Sequence, residues 1–227
     1  MQDSLFHACA NDEPQSVDAL GHLNNVDIIP LQLQDKPVAQ LQFFAQAFSR
    51  SADQWFAALM AETPWQQDYL TIAGKTVAIP RLQCWYGDAA YQYSGLRLQP
   101  QPWTALLMQI KQQVETLTGH AFNSALINLY RDGNDSVSWH ADDEAELGSD
   151  PVIASLSLGQ SRELAFKAKP PFTDNMAVKP ASMKISLTHG SLLVMGTGVQ
   201  THFMHGLAKQ KHVVKPRINI TWRKIYP

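Results

Sequence analysis

The segment SVSWHADDE, residues 136–144, places a histidine and a carboxylate two positions apart at the end of a strand-like run. Successive strand side chains point to opposite faces, so His140 and Asp142 are predicted to project together from one face. With a second histidine they would form the two-histidine, one-carboxylate face that binds Fe(II) and leaves further positions open. The best candidate for that histidine is His205. A His-x-Asp triplet alone is a weak signal, so the prediction depends on this second histidine.

A second segment, PRINITWRK at residues 216–224, alternates strictly between polar and apolar side chains. Two arginines on one buried face would be costly unless an anion lies between them, and guanidinium groups bind carboxylates through paired hydrogen bonds. A half-exposed strand with a solvated arginine face is an equally open alternative. The polar face carries Arg217, Asn219, Thr221 and Arg223.

Asn128 and Tyr130 lie two positions apart in the segment LINLY and could add an amide and a phenol. Together with the histidines, the aspartate and the arginines, they outline a site for Fe(II) and 2-oxoglutarate. The stretches NLYRDGNDSVSWHADDEAELG, PVIASLSLGQSRELAF, LTHGSLLVMG and PRINITWRKIYP resemble the AlkB family of nucleic-acid dealkylating dioxygenases. PRLQCWYGDAAYQYSGLRLQP and TGHAFNSALINLYRDG resemble its animal-type branch, which acts on 1-methyladenine and 3-methylcytosine. The resemblance covers residues 80–227.

The resemblance implies an oxidative demethylase of DNA, and of RNA as a second substrate class, that releases formaldehyde, succinate and CO2. Its cofactors would be Fe(II), 2-oxoglutarate and O2, with ascorbate as a supporting reductant. The metal ligand would be His205, next to Gly206, rather than its rival His202. Arg217, Asn128 and Tyr130 would hold the distal carboxylate of 2-oxoglutarate, and Arg223 would lie nearer the metal-bound end.

Substrate contacts are expected mainly in a nucleotide-recognition segment at residues 80–100. Tyr91 and Tyr93, followed by Ser94, fit a platform that stacks on a base, although a plain sheet surface gives the same pattern. Glu144 matches a family carboxylate that contacts the amine of the flipped base; a solvated turn residue is the alternative. Arg162 resembles a family arginine beside the lesion pocket.

The predicted fold is α+β, a double-stranded β-helix or jelly roll with N-terminal helices packed on the sheet. Residues 1–35 are predicted to be an irregular acidic leader with a strand near residues 26–30, and residues 36–227 a single domain. A helix is expected from Pro37 to Phe48, another after a Ser51–Gln54 capping box, and a third from Pro102 to Gly119. Strands and hairpins are expected at residues 69–98, between the second and the third of these helices. The jelly roll is indicated by short strands without intervening helices at 124–130, 136–142, 152–158, 162–167, 183–187, 191–195 and 213–223.

Composition and charge limit the class of protein. The chain has 227 residues, 45% hydrophobic and 17% charged, which is typical of a soluble globular domain, and we expect neither a membrane span nor a signal peptide. Two cysteines indicate a reducing compartment, so the expected location is cytoplasmic, nucleoid-associated in a bacterium or nuclear in a eukaryote. Residues 1–70 contain two basic and nine acidic side chains, so methylated single-stranded DNA or RNA is expected to contact the rest of the chain. A monomer is expected, with protein partners unspecified.

Duplex-preferring members of the family carry an aromatic finger in the hairpin before PRLQCWYGD, where this chain has TIAGKTV with Ala73 near the matching position. Without such a wedge, extruding a base from a duplex costs more, which predicts a preference for single strands. Three alternatives remain open: an oxygenase that hydroxylates a protein or small molecule, a non-catalytic nucleic-acid-binding module, and a zinc hydrolase.

Overall fold

The computed structural model describes residues 26–72, 74–88, 91–93, 96–170 and 182–226. Strands make up most of these residues, and the helices are α1 (Ala52–Glu62), α2 (Ala105–Thr118) and α3 (Val199–His202), with a short 3-10 turn at Ala145–Leu147. In chain order the strands are β1 (Asp27–Leu33), β2 (Lys36–Phe44), β3 (Tyr69–Ile72), β4 (Lys75–Ala78), β5 (Leu82–Gly87), β6 (Tyr91–Tyr93), β7 (Leu96–Leu98), β8 (Ser124–Tyr130), β9 (Val137–His140), β10 (Ile153–Gly159), β11 (Arg162–Ala168), β12 (Met183–Leu187), β13 (Ser191–Met195), β14 (Phe203–Leu207) and β15 (Arg217–Arg223).

Two antiparallel sheets form the body of the domain. The major sheet has seven strands in the order β1-β2-β13-β10-β15-β8-β5, and the minor sheet has four in the order β12-β11-β14-β9. Strands distant in sequence are neighbours in both sheets, as in a jelly roll. β3 with β4 and β6 with β7 form two further two-stranded hairpins. The predicted jelly-roll class is therefore confirmed.

The central strands of the major sheet are buried on both faces. In β8 and β15 every residue is buried, although the two strands carry polar as well as apolar side chains. Their apolar positions, such as Ile127 and Ile220, pack in one cluster with Trp55 of α1 and Ile110 of α2. Fully burying one such side chain stabilises a fold by roughly 1.5–3 kcal/mol. The polar positions therefore face the other way, into the space between the two sheets.

The N-terminal part differs from the sequence-based prediction. The first predicted helix, from Pro37 to Phe48, is wrong: most of that segment is strand β2, which pairs with β1 on one side and β13 on the other. Apolar residues at helical spacing were misleading because hydrogen bonding to two neighbouring strands decides the structure. The second helix is confirmed as α1, but the side chain of Ser51 makes no capping hydrogen bond.

The third helix is confirmed as α2. It starts at Ala105, and the hydroxyl of Thr104 accepts a hydrogen bond from the backbone N–H of Leu107. It ends at Gly119, whose φ of 72° is the left-handed conformation that glycine adopts at little cost. No helix in the described residues is long and apolar enough to cross a membrane.

The predicted boundary between leader and domain, at residue 35, falls in the tight turn between β1 and β2. β1 pairs along its length with β2 and so forms part of the major sheet. Residues 1–25 of the proposed leader lie outside the described part of the chain. The division into leader and domain stays a prediction, although residues 27–33 form the strand β1 of the major sheet.

Candidate active site

The three residues singled out as metal ligands lie together between the sheets. His140 ends β9 and pairs in register with His205 of the neighbouring strand β14. Their ring centroids are 4.3 Å apart, and Oδ2 of Asp142 lies 3.8 Å from Nε2 of His205. One potential ligand atom from each residue lies within 4.8 Å of the others. The strand-period argument for Asp142 was wrong, because β9 ends at His140 and Asp142 follows in a segment without regular structure.

The protonation states of this cluster suit a divalent cation. Burial lowers the pKa of His205 to about 3 and also lowers the pKa of His140. Burial alone would raise the pKa of Asp142, but the charge of Arg223 and its hydrogen bond to the carboxylate hold that pKa below its usual value. Both imidazoles are thus neutral and the carboxylate is ionised near pH 7, the forms in which these side chains bind metals.

Hydrogen bonds also leave donor atoms for a metal. The Nδ1 atom of His140 lies 2.9 Å from the carbonyl oxygen of Ser138, to which it donates as the neutral tautomer, so its Nε2 lone pair can bind a metal. The Nε2 atom of His205 is the nitrogen that faces the carboxylate, 3.8 Å from Oδ2 of Asp142, while its Nδ1 atom is buried and has no hydrogen-bond partner among the described residues. Two nitrogen atoms and one carboxylate that converge in this way fit the donor set of non-haem Fe(II).

Arg223 contacts one side of the aspartate. Its Nη2 donates to Oδ1 of Asp142 at 2.8 Å, and both side chains are buried. Because Oδ1 is held by the guanidinium group, Oδ2 is the oxygen that faces His205. A charged hydrogen bond of this kind fixes the rotation of the carboxylate.

The arginines of β15 are not on a solvated face. Arg217 and Arg223 are each 2% exposed, which excludes the alternative of a half-exposed strand. Nη2 of Arg217 donates to Oγ of Ser157 at 2.9 Å, and its guanidinium carbon lies 5.2 Å from the ring centre of Tyr130. Burial lowers the pKa of Arg217 to about 10, so it remains cationic near pH 7. Its Nε has no partner among the described residues, which leaves a donor for an anionic ligand.

One cavity joins the ligand cluster to this cation. It is lined by the His140–Asp142–His205 cluster and by all six predicted cosubstrate residues: Asn128, Tyr130, Arg217, Asn219, Thr221 and Arg223. Asn219 and Thr221 are hydrogen-bonded along the cavity wall, since Asn219 donates to Ser155 Oγ at 2.8 Å and Thr221 donates to Asn219 Oδ1 at 3.1 Å. They shape the wall, and Arg217 supplies the charge.

Comparison with known proteins agrees with this geometry. Residues 40–223 match the sequence profile of the 2OG-Fe(II) oxygenase superfamily. The chain belongs to that superfamily. This membership accounts for the convergent histidines and aspartate, and for buried arginines in the same cavity, because the superfamily is named for its iron and its 2-oxoglutarate.

Relatives within the superfamily confirm the resemblance to AlkB. The chain is 43% identical over 180 residues to the alpha-ketoglutarate-dependent dioxygenase alkB homolog 3 of Bos taurus, covering 78% of this chain and 63% of that protein. It is 40% identical over 179 residues to the human DNA oxidative demethylase ALKBH2, covering 77% of this chain and 69% of that protein. The chain thus spans about two thirds of the length of these relatives. The structure of OsALKBH1 shares the fold, with a TM-score of 0.55, 14% identity, and coverage of 87% of this chain and 100% of that one.

Sequence reasoning missed a charged residue of the cavity, Arg81. Arg81 is buried, lines the cavity, and donates from Nε to Oδ1 of Asn128 at 2.8 Å. That contact occupies the amide oxygen of Asn128 and leaves its NH2 group for a ligand. Arg81 stands singly before β5, without the alternating pattern that drew attention to β15. Its position after a proline and before a buried strand was the only local signal.

Arg162 does not line the cavity. Its guanidinium donates to the side chain of Gln210 and to the carbonyl oxygens of Asp132, Asp135 and Ala208, at 2.8–3.1 Å. These contacts join two loops beside the site and leave Arg162 no free face toward a lesion. These contacts indicate a structural position for Arg162, and a substrate contact there stays a prediction.

The other substrate-side expectations remain proposals. Tyr91 and Tyr93 lie on strand β6, but only the backbone of that strand is described, and Ser94 lies outside the described residues. Glu144 precedes the short 3-10 turn, and its carbonyl oxygen accepts from the N–H of Leu147. It is half-buried and is not among the residues that line the cavity.

The rival histidines have other positions. His202 ends α3, and its Nδ1 lies 2.9 Å from the carbonyl oxygen of Gly198, away from the ligand cluster. His189 accepts from the N–H of Gly159 at Nδ1, so its Nε2 carries the proton and donates to Asp53 at 3.1 Å. The prediction of a structural role for His189 agrees with these contacts.

Proposed function

We propose that this protein is an Fe(II)- and 2-oxoglutarate-dependent dioxygenase that demethylates 1-methyladenine and 3-methylcytosine in DNA, and in RNA as a second substrate. The main observation is that one cavity holds a two-histidine, one-aspartate cluster and the buried Arg217, which forms no ion pair with a carboxylate in the described part of the chain. Membership of the 2OG-Fe(II) oxygenase superfamily and about 40% identity to named DNA demethylases support the proposal.

His140, Asp142 and His205 would hold Fe(II), and Arg217, helped by Tyr130 and the amide of Asn128, would bind the distal carboxylate of 2-oxoglutarate. Bound iron, with 2-oxoglutarate and O2, supplies the oxidation of a methyl C–H bond. One oxygen atom enters succinate and the other enters the methyl group, which leaves as formaldehyde; CO2 comes from 2-oxoglutarate. Arg223 holds the iron-binding carboxylate in its ionised form and in one orientation.

The target base must leave its stack to reach a cavity enclosed between two sheets. We propose that single-stranded substrates are preferred, because residues 71–77, around the turn between β3 and β4, contain no aromatic side chain to fill the gap left in a duplex. Tyr91, Tyr93, Ser94 and Glu144 are the proposed substrate contacts. We also propose that the protein acts as a monomer, in the nucleoid of a bacterium or the nucleus of a eukaryote.

A panel of methylated oligonucleotides tests this function. The protein is incubated with Fe(II), 2-oxoglutarate, ascorbate and one oligonucleotide of the panel, which contains single-stranded and duplex DNA and RNA carrying 1-methyladenine or 3-methylcytosine. The masses of the products are then measured by mass spectrometry. We expect a loss of one CH2 unit per lesion that requires 2-oxoglutarate and is absent with His205→Ala. Omitting ascorbate should slow repair without stopping it. Oxidation of an added protein or small molecule, with every oligonucleotide unchanged, would favour the alternative hydroxylase.

A further inference from the structure

The three proposed metal ligands are positioned in two different ways. His140 and His205 lie on adjacent strands whose hydrogen-bonded register sets their rings side by side. Asp142 lies beyond the end of β9, where no ladder fixes the backbone. Arg223 orients its carboxylate, but a carboxylate can be placed accurately only if its own backbone is also held. The contacts that hold that backbone are therefore part of the site.

Gln200 supplies a contact to that backbone. Its Oε1 accepts a hydrogen bond from the N–H of Asp142 at 3.0 Å, and its Nε2 lies 3.5 Å from the sulfur of Met195. The side chain of Gln200 is 1% exposed, so water cannot replace this hydrogen bond. Breaking this hydrogen bond would leave two buried polar groups unpaired, the side-chain oxygen of Gln200 and the backbone N–H of Asp142, at a cost in free energy. The hydrogen bond therefore favours one position of the Asp142 backbone.

The backbone of Gln200 is itself fixed. Helix α3 starts after Gly198, whose φ is +81°, and a Cβ atom there would lie 2.5 Å from the carbonyl oxygen of Val38. The N–H of Gly198 also donates to Oδ1 of Asp150 at 2.7 Å. Only glycine fits this close approach to β2 without strain. The backbone at the start of α3 is thus held in one position, and it places the side chain of Gln200 next to Asp142.

Lys169 holds the same segment from its exposed side. Its Nζ donates to Oδ2 of Asp143 and to the carbonyl oxygen of Gln200, both at 2.6 Å. One ammonium group therefore joins the residue after Asp142 to the residue that binds the N–H of Asp142. We call Gln200 and Lys169 together the aspartate brace.

We propose that Gln200 is a positioning residue for the metal-binding carboxylate of Asp142, and that Lys169 supports it through Asp143. The inference rests on the proposed metal site. Removing residues that orient a metal ligand typically lowers metal affinity about 10- to 100-fold. Because Gln200 acts on the backbone of the ligand, we expect the lower part of that range.

Titration of the metal-free protein with Co(II), followed by visible absorption, tests the brace without turnover. Gln200→Leu keeps the volume and removes the acceptor, so it should weaken Co(II) binding about 10-fold and change the absorption of the bound ion. Gln200→Glu retains an acceptor oxygen and should bind Co(II) more tightly than the leucine variant. Gln83→Leu is the matched control: Gln83 is equally buried, but its amide contacts Asp68, and Co(II) affinity should not change.

Equal Co(II) affinity and absorption in wild type and a folded Gln200→Leu would overturn the inference. Failure of the wild-type protein to bind Co(II) would instead overturn the proposed metal site, so the two failures are distinguishable. If Gln200→Leu does not fold, Lys169→Met carries the test, with weaker Co(II) binding expected and unchanged binding contradictory.

A double variant separates one brace from two independent effects. If Gln200 and Lys169 act on Asp142 through one segment, the double variant Gln200→Leu/Lys169→Met should have about the same Co(II) affinity as whichever single variant binds Co(II) less tightly. Neighbouring residues that share a contact give such non-additive effects. A combined loss equal to the product of the two single losses would contradict a shared brace.

Discussion

The cavity and the two-stranded hairpins are built differently. We call the residues that line the cavity its floor; most of the floor's polar residues lie on β8, β14 and β15, where almost every side chain is buried. The hairpins β3–β4 and β6–β7 lie outside the two main sheets, and all four residues of β4 are exposed. Cross-strand hydrogen bonds and burial thus fix the groups that handle oxidation. The proposed elements of substrate choice lie on hairpins outside the two main sheets, where sequence can vary with little cost to the fold.

The largest effect should come from the metal ligands of the floor. His140→Ala, Asp142→Ala and His205→Ala should each abolish turnover, because each removes one of three donors from a buried site. Bound iron is measured after reconstitution, together with repair of a 3-methylcytosine oligonucleotide. His202→Ala and His189→Ala are the controls and should retain iron. Loss of iron in His202→Ala, with retention in His205→Ala, would show that the ligand was misassigned.

The next largest effect should come from the cation of the floor. Arg217→Ala leaves an anionic ligand without its partner, a change that costs on the order of 3–5 kcal/mol, so 2-oxoglutarate should bind roughly 100-fold more weakly or worse. Arg217→Lys should recover part of the affinity, since lysine lacks the paired donors. Calorimetric titration of the iron-loaded protein without oxygen measures both. Arg131→Ala, at a half-exposed guanidinium, is the control, and an unchanged affinity in Arg217→Ala would place the cosubstrate elsewhere.

A substitution of Arg162 tests whether this buried arginine near the cavity contacts the substrate or stabilises the loops beside the cavity. Arg162→Met removes charged hydrogen bonds to two loops, so we expect the free energy of unfolding to fall by about 3 kcal/mol. At temperatures where the variant stays folded, the KM for the oligonucleotide should not change. Denaturant unfolding and steady-state kinetics give the two values. Unchanged stability with a raised oligonucleotide KM would instead support a substrate contact at Arg162.

The smallest effect should come from the β3–β4 hairpin. Ala73, which stands between β3 and β4 in the sequence, lies outside the described residues, and its role is a proposal. Extruding a base from a duplex costs a few kcal/mol, part of which an inserted ring can offset. Repair of 3-methylcytosine should be faster in single strands, and Ala73→Phe should raise duplex repair while leaving single-strand repair unchanged. Ala73→Leu is the control for size. Equal wild-type rates on both substrates at subsaturating concentration would contradict the preference.

Local sequence patterns were sufficient to predict a strand where the order of apolar and polar residues within that strand indicates it. The segments 124–130, 183–187 and 191–195 match β8, β12 and β13, and the alternation at 217–223 separated the faces of β15. The pattern failed at β2, where Leu41 and Phe44 have helical spacing but pack in two different apolar clusters of a strand that pairs with β1 and β13. It also failed at Asp142, whose position depends on Gln200 and Arg223.

Residues that act through distant contacts left no local signal. Ser157 binds Arg217 from 60 residues away, and Arg81 binds Asn128 from 47 residues away. The histidine and arginine motifs of the site could be found because each stands in an alternating or paired pattern. Their supporting residues become visible only when the sheets bring separate segments together.

Stoichiometry tests the central claim most directly: that the His140–Asp142–His205 cluster and Arg217 form one site that couples 2-oxoglutarate oxidation to base demethylation. Succinate, formaldehyde and restored cytosine are counted in one reaction on a single-stranded 3-methylcytosine oligonucleotide. The account predicts equal amounts of the three products with the wild-type protein, and none with His205→Ala. Cytosine restored without 2-oxoglutarate, or succinate formed with every 3-methylcytosine intact, would contradict it.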